Sequence, residues 1–398
     1  MPLSKQRKKE MIGNLADGVF YIAFILYWSL SMVWTSTAMP LLTSRGYLIG
    51  MAAVMGFLIL HEVLCFLWIR RYNWRDALGL IIVCVFGYVV DRNESATIAA
   101  GYLMIFASRE MDYKKIFKLA ILNTVVGLLV VSLLANLGYI VNECWQEGQH
   151  IRHGFGFVYT LVVPAYFLNI GIMTFAIREE KIATWQILLL LFFTICTYRW
   201  CKADLSSGLM VMLIIAMIIT KKFPDILHSQ HFFWEWTDHM AVVIYPFVVL
   251  LSLFIAWYYD ASIAWMSKLD HLTRGRLSLP HDALKQFGIK LWGQEIWFVG
   301  AGLDNFGNVV DGAYNYVDNV YVNLFIRYGV VFCVIALILV ALTMHYCRIR
   351  NKRVLLWMFS LMAVHGLFED KVQMLYFNSL LLIIGQAIQD YHESKKYT

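Results

Sequence analysis

The sequence predicts an all-α, polytopic membrane protein, and three observations lead there. Of 398 residues, 60% are hydrophobic and only 15% are charged, against about 25% charged in a typical soluble domain. The apolar residues fall in runs of about 17 to 25, the length that crosses a hydrocarbon core as helix. Trp and Tyr recur at the ends of those runs, as an aromatic belt requires. A β-barrel would show short alternating segments instead. The net charge of +6 is spread over many short loops, so it does not point to nucleic acid.

The N-terminal KQRKKE is basic and precedes an apolar run over 19–39. That run is too long for a signal-peptide core and lacks a small-x-small cleavage site, so it reads as a retained first helix. Further runs cover 47–69, 77–90, 96–108, 116–141, 157–177, 182–198, 208–220, 239–259, 318–345, 354–368 and 372–390. About 12 spans result, in a single membrane domain over 1–398. The pieces 77–90 and 96–108 are short and are expected to tilt or borrow flanking residues. The polar stretch HGLFEDK separates the last two spans.

Loop charge orients the bundle. RRYNWR (70–75), REMDYKK (109–115), REEK (178–181), KK (221–222), RIRNKR (348–353) and KK (395–396) fall on the side of the N-terminus. Most of the 33 Lys and Arg lie there, so the positive-inside rule puts both termini in the cytoplasm. Loops 142–156, 199–207 and 260–317 are then outside. The segment 223–239, rich in aromatics and His, reads as lying flat at the interface. His228, His231 and His239 lack regular ligand spacing. The seven Cys include no CxxC and no zinc spacing. Cys144 and Cys201 would share the outer face, with a disulfide between them the minor alternative to free thiols.

The long loop 260–317 is the one extended polar interval. Pro280 falls in the first turn of a short helix, with Ser278 as its cap and Gly288 as its stop. Leu284, Phe287 and Leu291 recur at helical spacing, which suggests an amphipathic element on the membrane surface. Residues 300–316 are turn-rich and would wrap over a site.

Outer-face charge gathers in three places: Glu143, Glu147, His150, Arg152 and His153; Arg199, Lys202 and Asp204; and Arg274, Arg276, His281, Asp282, Asp304, Asp311 and Asp318. Basic side chains at a membrane mouth suit an anionic group held there. Arg suits diphosphate best, because its planar fork donates to adjacent oxygens. The chain has no DxD motif of the kind many nucleotide-sugar transferases use to hold a metal, and no P-loop spacing. Asp318 is read equally well as a helix cap. Arg327 would lie roughly 13 Å down the tenth span, facing the bundle interior. His61-Glu62 and His365 with Glu369-Asp370 read as structural pairs or as side chains snorkelling near a helix end.

LDHLTRGRLSLPHDALKQFGIKLWGQ (269–294) resembles the L..LL.GR......AL..FG...FG segment of Wzy-type polysaccharide polymerases. VDNVYVNLFIRYG (317–329) resembles their VDN.Y...L..YG, and RHGFGF (152–157) a shared central segment. TYRWCKADLSSG resembles the region where members, and the related O-antigen ligases, carry Ser-Arg. Here Tyr198-Arg199 stands instead.

The resemblance implies a GT-C-like bundle in a bacterial plasma membrane. It implies an enzyme without metal or cofactor that joins undecaprenyl-diphosphate-linked oligosaccharide repeats at the outer leaflet. Donor and acceptor are both lipid-linked, and a chain-length regulator and a flippase are implied companions. Arg276, with Arg274 and Arg152, would bind the diphosphate and meet its developing charge. His281 or Asp318 would activate the acceptor hydroxyl. Arg199 and Lys202 would guide the second substrate, and Arg327 would contact substrate or form an internal ion pair. Two other readings stand beside this one: a ligase that delivers a lipid-linked glycan to another acceptor, and a lipid-linked oligosaccharide flippase or transporter.

Overall fold

The computed structural model describes residues 2–69, 72–91, 96–147 and 150–394. Arg70 and Arg71 of the charged loops, the Lys395-Lys396 tail and the side chain of Glu147 lie outside the described residues. The helices are α1 (Pro2–Trp34), α2 (Met39–Leu42), α3 (Ser44–Leu64), α4 (Trp74–Asp91), α5 (Ala96–Ala107), α6 (Tyr113–Asn136), α7 (Val162–Arg178) and α8 (Thr184–Cys201). They continue as α9 (Asp204–Lys222), α10 (Phe232–Tyr258), α11 (Ala264–Leu272), α12 (Ser278–Phe287), α13 (Val320–Arg327), α14 (Gly329–Ile349), α15 (Arg353–His365) and α16 (Leu382–Ser394). Strands β1 (Cys144–Glu147) and β2 (His150–His153) form an antiparallel hairpin that pairs Cys144 with His153 and Trp145 with Arg152.

Among the described residues, seven helices are long and apolar enough to cross a membrane: α1, α3 with its π-helical extension to Ile69, α6, α8, α9, α10 and α14. The chain is an all-α membrane protein. Their outward faces carry large exposed apolar side chains such as Leu129, Phe192, Leu250 and Phe254, a distribution that suits lipid rather than water as the solvent. Of these seven helices, α1 buries the largest share of its span. Phe20, Phe24, Tyr27 and Trp28 are all buried, and the Trp28 indole donates to Thr124 of α6 at 2.8 Å.

At one end of the bundle a buried ion network ties α3, α4 and α5 together. The Arg109 guanidinium meets both Glu62 oxygens at 2.8 Å and Asp76 at 3.2 Å. Glu62 is in a structural pair, as the sequence suggested: His61 Nε2 lies 4.0 Å from it, and Arg109 is its closer partner. The other His61 nitrogen, Nδ1, faces the Ala16 carbonyl at 2.9 Å.

Several expected elements differ. Residues 232–239 are not a separate interfacial piece: they are the first turns of α10, and the His231 ring accepts from the Phe233 N–H to cap them. The span expected over 318–345 is broken at Tyr328-Gly329, where Gly329 adopts φ 83°. Gly293, at φ 73°, packs directly on that turn, and a Cβ on either glycine would strike backbone of the other segment. Val330 and Val331 donate to the carbonyls of Lys290 and Leu291, so the long loop caps the break. Arg327 is accordingly the last residue of α13, not a residue deep in a continuous span.

The final pair of spans is also discontinuous. α15 and α16 have 13 residues each, or about 20 Å of helix, against a hydrocarbon core of about 30 Å. Residues 366–381 between them run through turns and 3-10 segments. Irregular backbone inside a membrane protein must find its hydrogen bonds in protein, and here it does. Asn169 of α7 donates to the Tyr376 carbonyl and Ser379 hydroxyl and accepts from the Ser379 N–H. Val320 at the start of α13 donates to the Gly366 carbonyl.

Candidate functional site

The 260–317 segment folds as a cover. After α10, α11 leads to a tight turn, where Asp270 accepts from the N–H groups of Leu277 and Ser278 at 2.8 and 2.9 Å. Asp270 therefore caps α12, and Ser278 is its first residue, not its cap. Burial raises the Asp270 carboxyl, but these donated hydrogen bonds outweigh it and hold the group below the usual carboxylate range. Gly288 ends α12 at φ 65°, as expected. The apolar face of α12 does not rest on the membrane: Ala283 and Leu284 pack with Ala256 of α10 and Val322 and Ile326 of α13. Further on, Asp304 gathers the Phe306 and Asn308 N–H groups into a turn. Leu303 donates to the Val158 carbonyl at 2.8 Å and Met39 to Asn305, which pins the cover onto the 154–160 segment.

Beneath this cover, residues from distant parts of the chain meet. Arg276 contacts Asp318 at 3.1 Å, with both side chains mostly buried. The capping role that competed for Asp318 belongs to its neighbour: Asn319 accepts from Tyr321 and Val322 N–H at 3.1 and 3.2 Å. Asp318 is thereby left to the ion pair. Its carboxyl is raised by burial, with Arg276 opposing and Glu369 adding to the rise.

The 366–381 segment delivers Glu369, Asp370 and Lys371 to the same place. Lys371 pairs with Glu369, and the Tyr316 hydroxyl donates to Asp370. The Lys371 ammonium lies 5.6 Å from the Tyr159 ring centroid, and the Arg152 guanidinium 6.0 Å from the same ring. Arg152 is buried and donates to the Cys201 carbonyl at 3.0 Å. Glu143 lies beside it, pushed up to about 7 by burial against the opposing pull of Arg152.

The remaining expected residues fall into separate groups. Arg274 pairs with Asp204 at 3.7 Å on the exposed rim, so the α8–α9 turn and the cover meet there. Arg199 is exposed in the last turn of α8, and Lys202 ends that helix at φ 54°. No family model, curated protein or solved structure matches this chain. The site therefore stands on its own geometry.

His281 is buried in α12 with Nδ1 2.8 Å from the Ala256 carbonyl and its ring against Tyr259. That contact joins α12 to α10. Arg327 lies over the Phe298 and Tyr328 rings, 5.6 Å from each centroid. Cys144 and Cys201 are both free thiols. Cys144 faces His153, while Cys201 is buried under Arg152.

Sequence reading passed over Glu369, Asp370 and Lys371 as site residues and did not single out Tyr159 or Tyr316. A signal existed in HGLFEDK, a charged run set between two apolar runs. What the arrangement offers chemically is clear from its parts. Cations on separate segments converge under a cover, Arg276 and Lys371 each balanced by a carboxylate that an incoming anion can displace, with carboxylates at hand to accept a proton.

Proposed function

We propose that this chain is an integral-membrane glycosyltransferase that polymerises polyprenyl-diphosphate-linked oligosaccharide repeats. The convergence of Arg152 and Lys371 on Tyr159 and of Arg276 and Lys371 on Asp318, beneath the 260–317 cover, carries the reading. A diphosphate is the anion that suits it: Arg276 exchanges Asp318 for phosphate oxygens, and Lys371 and Arg152 add further positive charge. Arg274, Arg199 and Lys202 form an outer basic rim that draws in the second lipid-linked substrate. A carboxylate of the cluster takes the proton of the attacking hydroxyl.

In this reading α4, α5, α7, α15 and α16 complete about 12 crossings in a GT-C-like bundle. The cover faces outward and both termini face the cytoplasm of a bacterial plasma membrane.

The broken pair α15 and α16 favours a second reading, because discontinuous helices also build transporter sites. One experiment separates the two. Purified protein is incubated with a polyprenyl-diphosphate repeat unit and no nucleotide sugar, and product length is followed on a gel. A ladder of multiples in wild type, lost in Arg276→Ala, supports the polymerase. Glycan appearing only on an added non-lipid acceptor makes the chain a ligase. No glycosidic product, together with passage of the lipid-linked unit across reconstituted vesicles, replaces the enzyme with a transporter.

A further inference from the structure

The ion cluster has one carboxylate more than its pairs use. Arg276 holds Asp318 and Lys371 holds Glu369, which leaves Asp370. It is 1% exposed. One oxygen, Oδ2, accepts from the Tyr316 hydroxyl. The other, Oδ1, meets no donor among the described residues. Nearby on the chain, His365 is equally buried, and neither ring nitrogen has a hydrogen-bond partner among the described residues. An ionised carboxylate so placed is expensive to keep, and a proton relieves the expense. Among the described residues, Tyr316, only half-buried, is the one group that links Asp370 outward. Its ring is fixed by Phe298 at 5.9 Å, and the next residue back, Asn315, exchanges hydrogen bonds with the Val299 backbone.

We propose that Asp370 receives, through Tyr316, the proton of the attacking acceptor hydroxyl. This rests on the glycosyl-transfer reading above and adds to it the route by which the proton leaves. In the step, the acceptor oxygen bonds to the anomeric carbon of the donor. The bond from that carbon to the diphosphate oxygen breaks, and its electron pair stays on the diphosphate, facing Arg276 and Lys371. The hydroxyl proton passes to Tyr316 Oη as the proton of Tyr316 passes to Asp370 Oδ2. Tyr316 is then the catalytic residue that touches substrate, and Asp370 acts through it. Asp318 holds the Arg276 fork in place until the diphosphate displaces it.

The charge around Asp370 comes from several elements. Glu369 and Lys371 flank it on its own turn, and His365 closes α15. Asp318, Arg276, Tyr314 and Tyr316 come from the cover. Tyr159 lies on Lys371, and α13, packed on the turn, carries its one charged residue, Arg327, at its far end against Phe298. Asp370 and Tyr316 differ from the other groups in forming a buried carboxyl with a hydroxyl leading out of it.

The test measures kcat and KM against pH for wild type, Asp370→Asn, Asp370→Glu and Tyr316→Phe, with a lipid-linked repeat as substrate. The proposal expects wild-type kcat to fall at acid pH. Asp370→Asn and Tyr316→Phe should each lower kcat at least about tenfold with KM nearly unchanged, and should abolish that acid limb. Asp370→Glu should restore turnover with the limb displaced. Wild-type kcat and pH profile in either Asp370→Asn or Tyr316→Phe overturn the relay while leaving polymerisation standing. A variant that loses turnover with an unchanged profile and a raised KM assigns the pair a purely structural role, which also overturns it. Absence of any product in wild type removes the glycosyl-transfer reading and the relay together.

Discussion

At Arg276 a planar guanidinium meets Asp318 at 3.1 Å in a mostly buried setting, so shape and charge are both at stake. Lysine keeps the charge and loses the fork. Arg276→Lys is expected to reduce polymer formation at least about tenfold, and Arg276→Ala further, as initial rates of ladder formation would show. A simple electrostatic anchor would leave the Lys variant close to wild type. Glu143 offers a separate test at the same scale. Burial lifts its carboxyl from 4.5 to about 7, so the folded state holds a proton that the unfolded chain releases near 4.5. Its linkage therefore lowers stability as pH rises from about 4.5 to about 7, with no further change above. Glu143→Gln removes that dependence. Melting temperatures of the two proteins should diverge in favour of the variant between pH 5 and pH 8, and parallel curves would show that Glu143 ionises normally.

Among the elements, α12 was legible because its stop at Gly288 and its Pro280 are local signals. Its cap was not, because Asp270 reaches it through a turn that spacing alone does not reveal. The break between α13 and α14 was likewise hidden. Apolar residues run through 318–345, and the reason for the break is a glycine that faces Gly293 across the chain. A Cβ at residue 329 combines an unfavourable positive φ, about 1–2 kcal/mol, with overpacking worth about 1–3 kcal/mol. Gly329→Ala is thus predicted to lower stability by roughly 2–5 kcal/mol, read as a fall in melting temperature in detergent. An unchanged melting temperature would mean that the two segments separate easily.

Across the whole molecule, the membrane class was legible from composition and run length, which are properties of the solvent more than of the fold. The site was half legible. Arg152, Arg276 and Asp318 stand out as polar residues in a polar loop. Glu369, Asp370 and Lys371 did not, because a charged run between apolar segments reads equally well as a helix end. Only the short helices α15 and α16, and the hydrogen bonds from Asn169, bring that run under the cover. The same folding draws His281 away into a contact with Ala256.

The central claim is that separate segments build one diphosphate site, and equilibrium binding tests it most directly. A fluorescent polyprenyl diphosphate without sugar would be titrated against wild type, Arg276→Ala, Lys371→Met and Arg152→Ala in detergent. The account predicts saturable one-to-one binding, weakened about tenfold or more by each substitution, or about 1.4 kcal/mol apiece. Unchanged affinity in all the variants would contradict it, because the convergence of the three cations would then have no bearing on the lipid diphosphate.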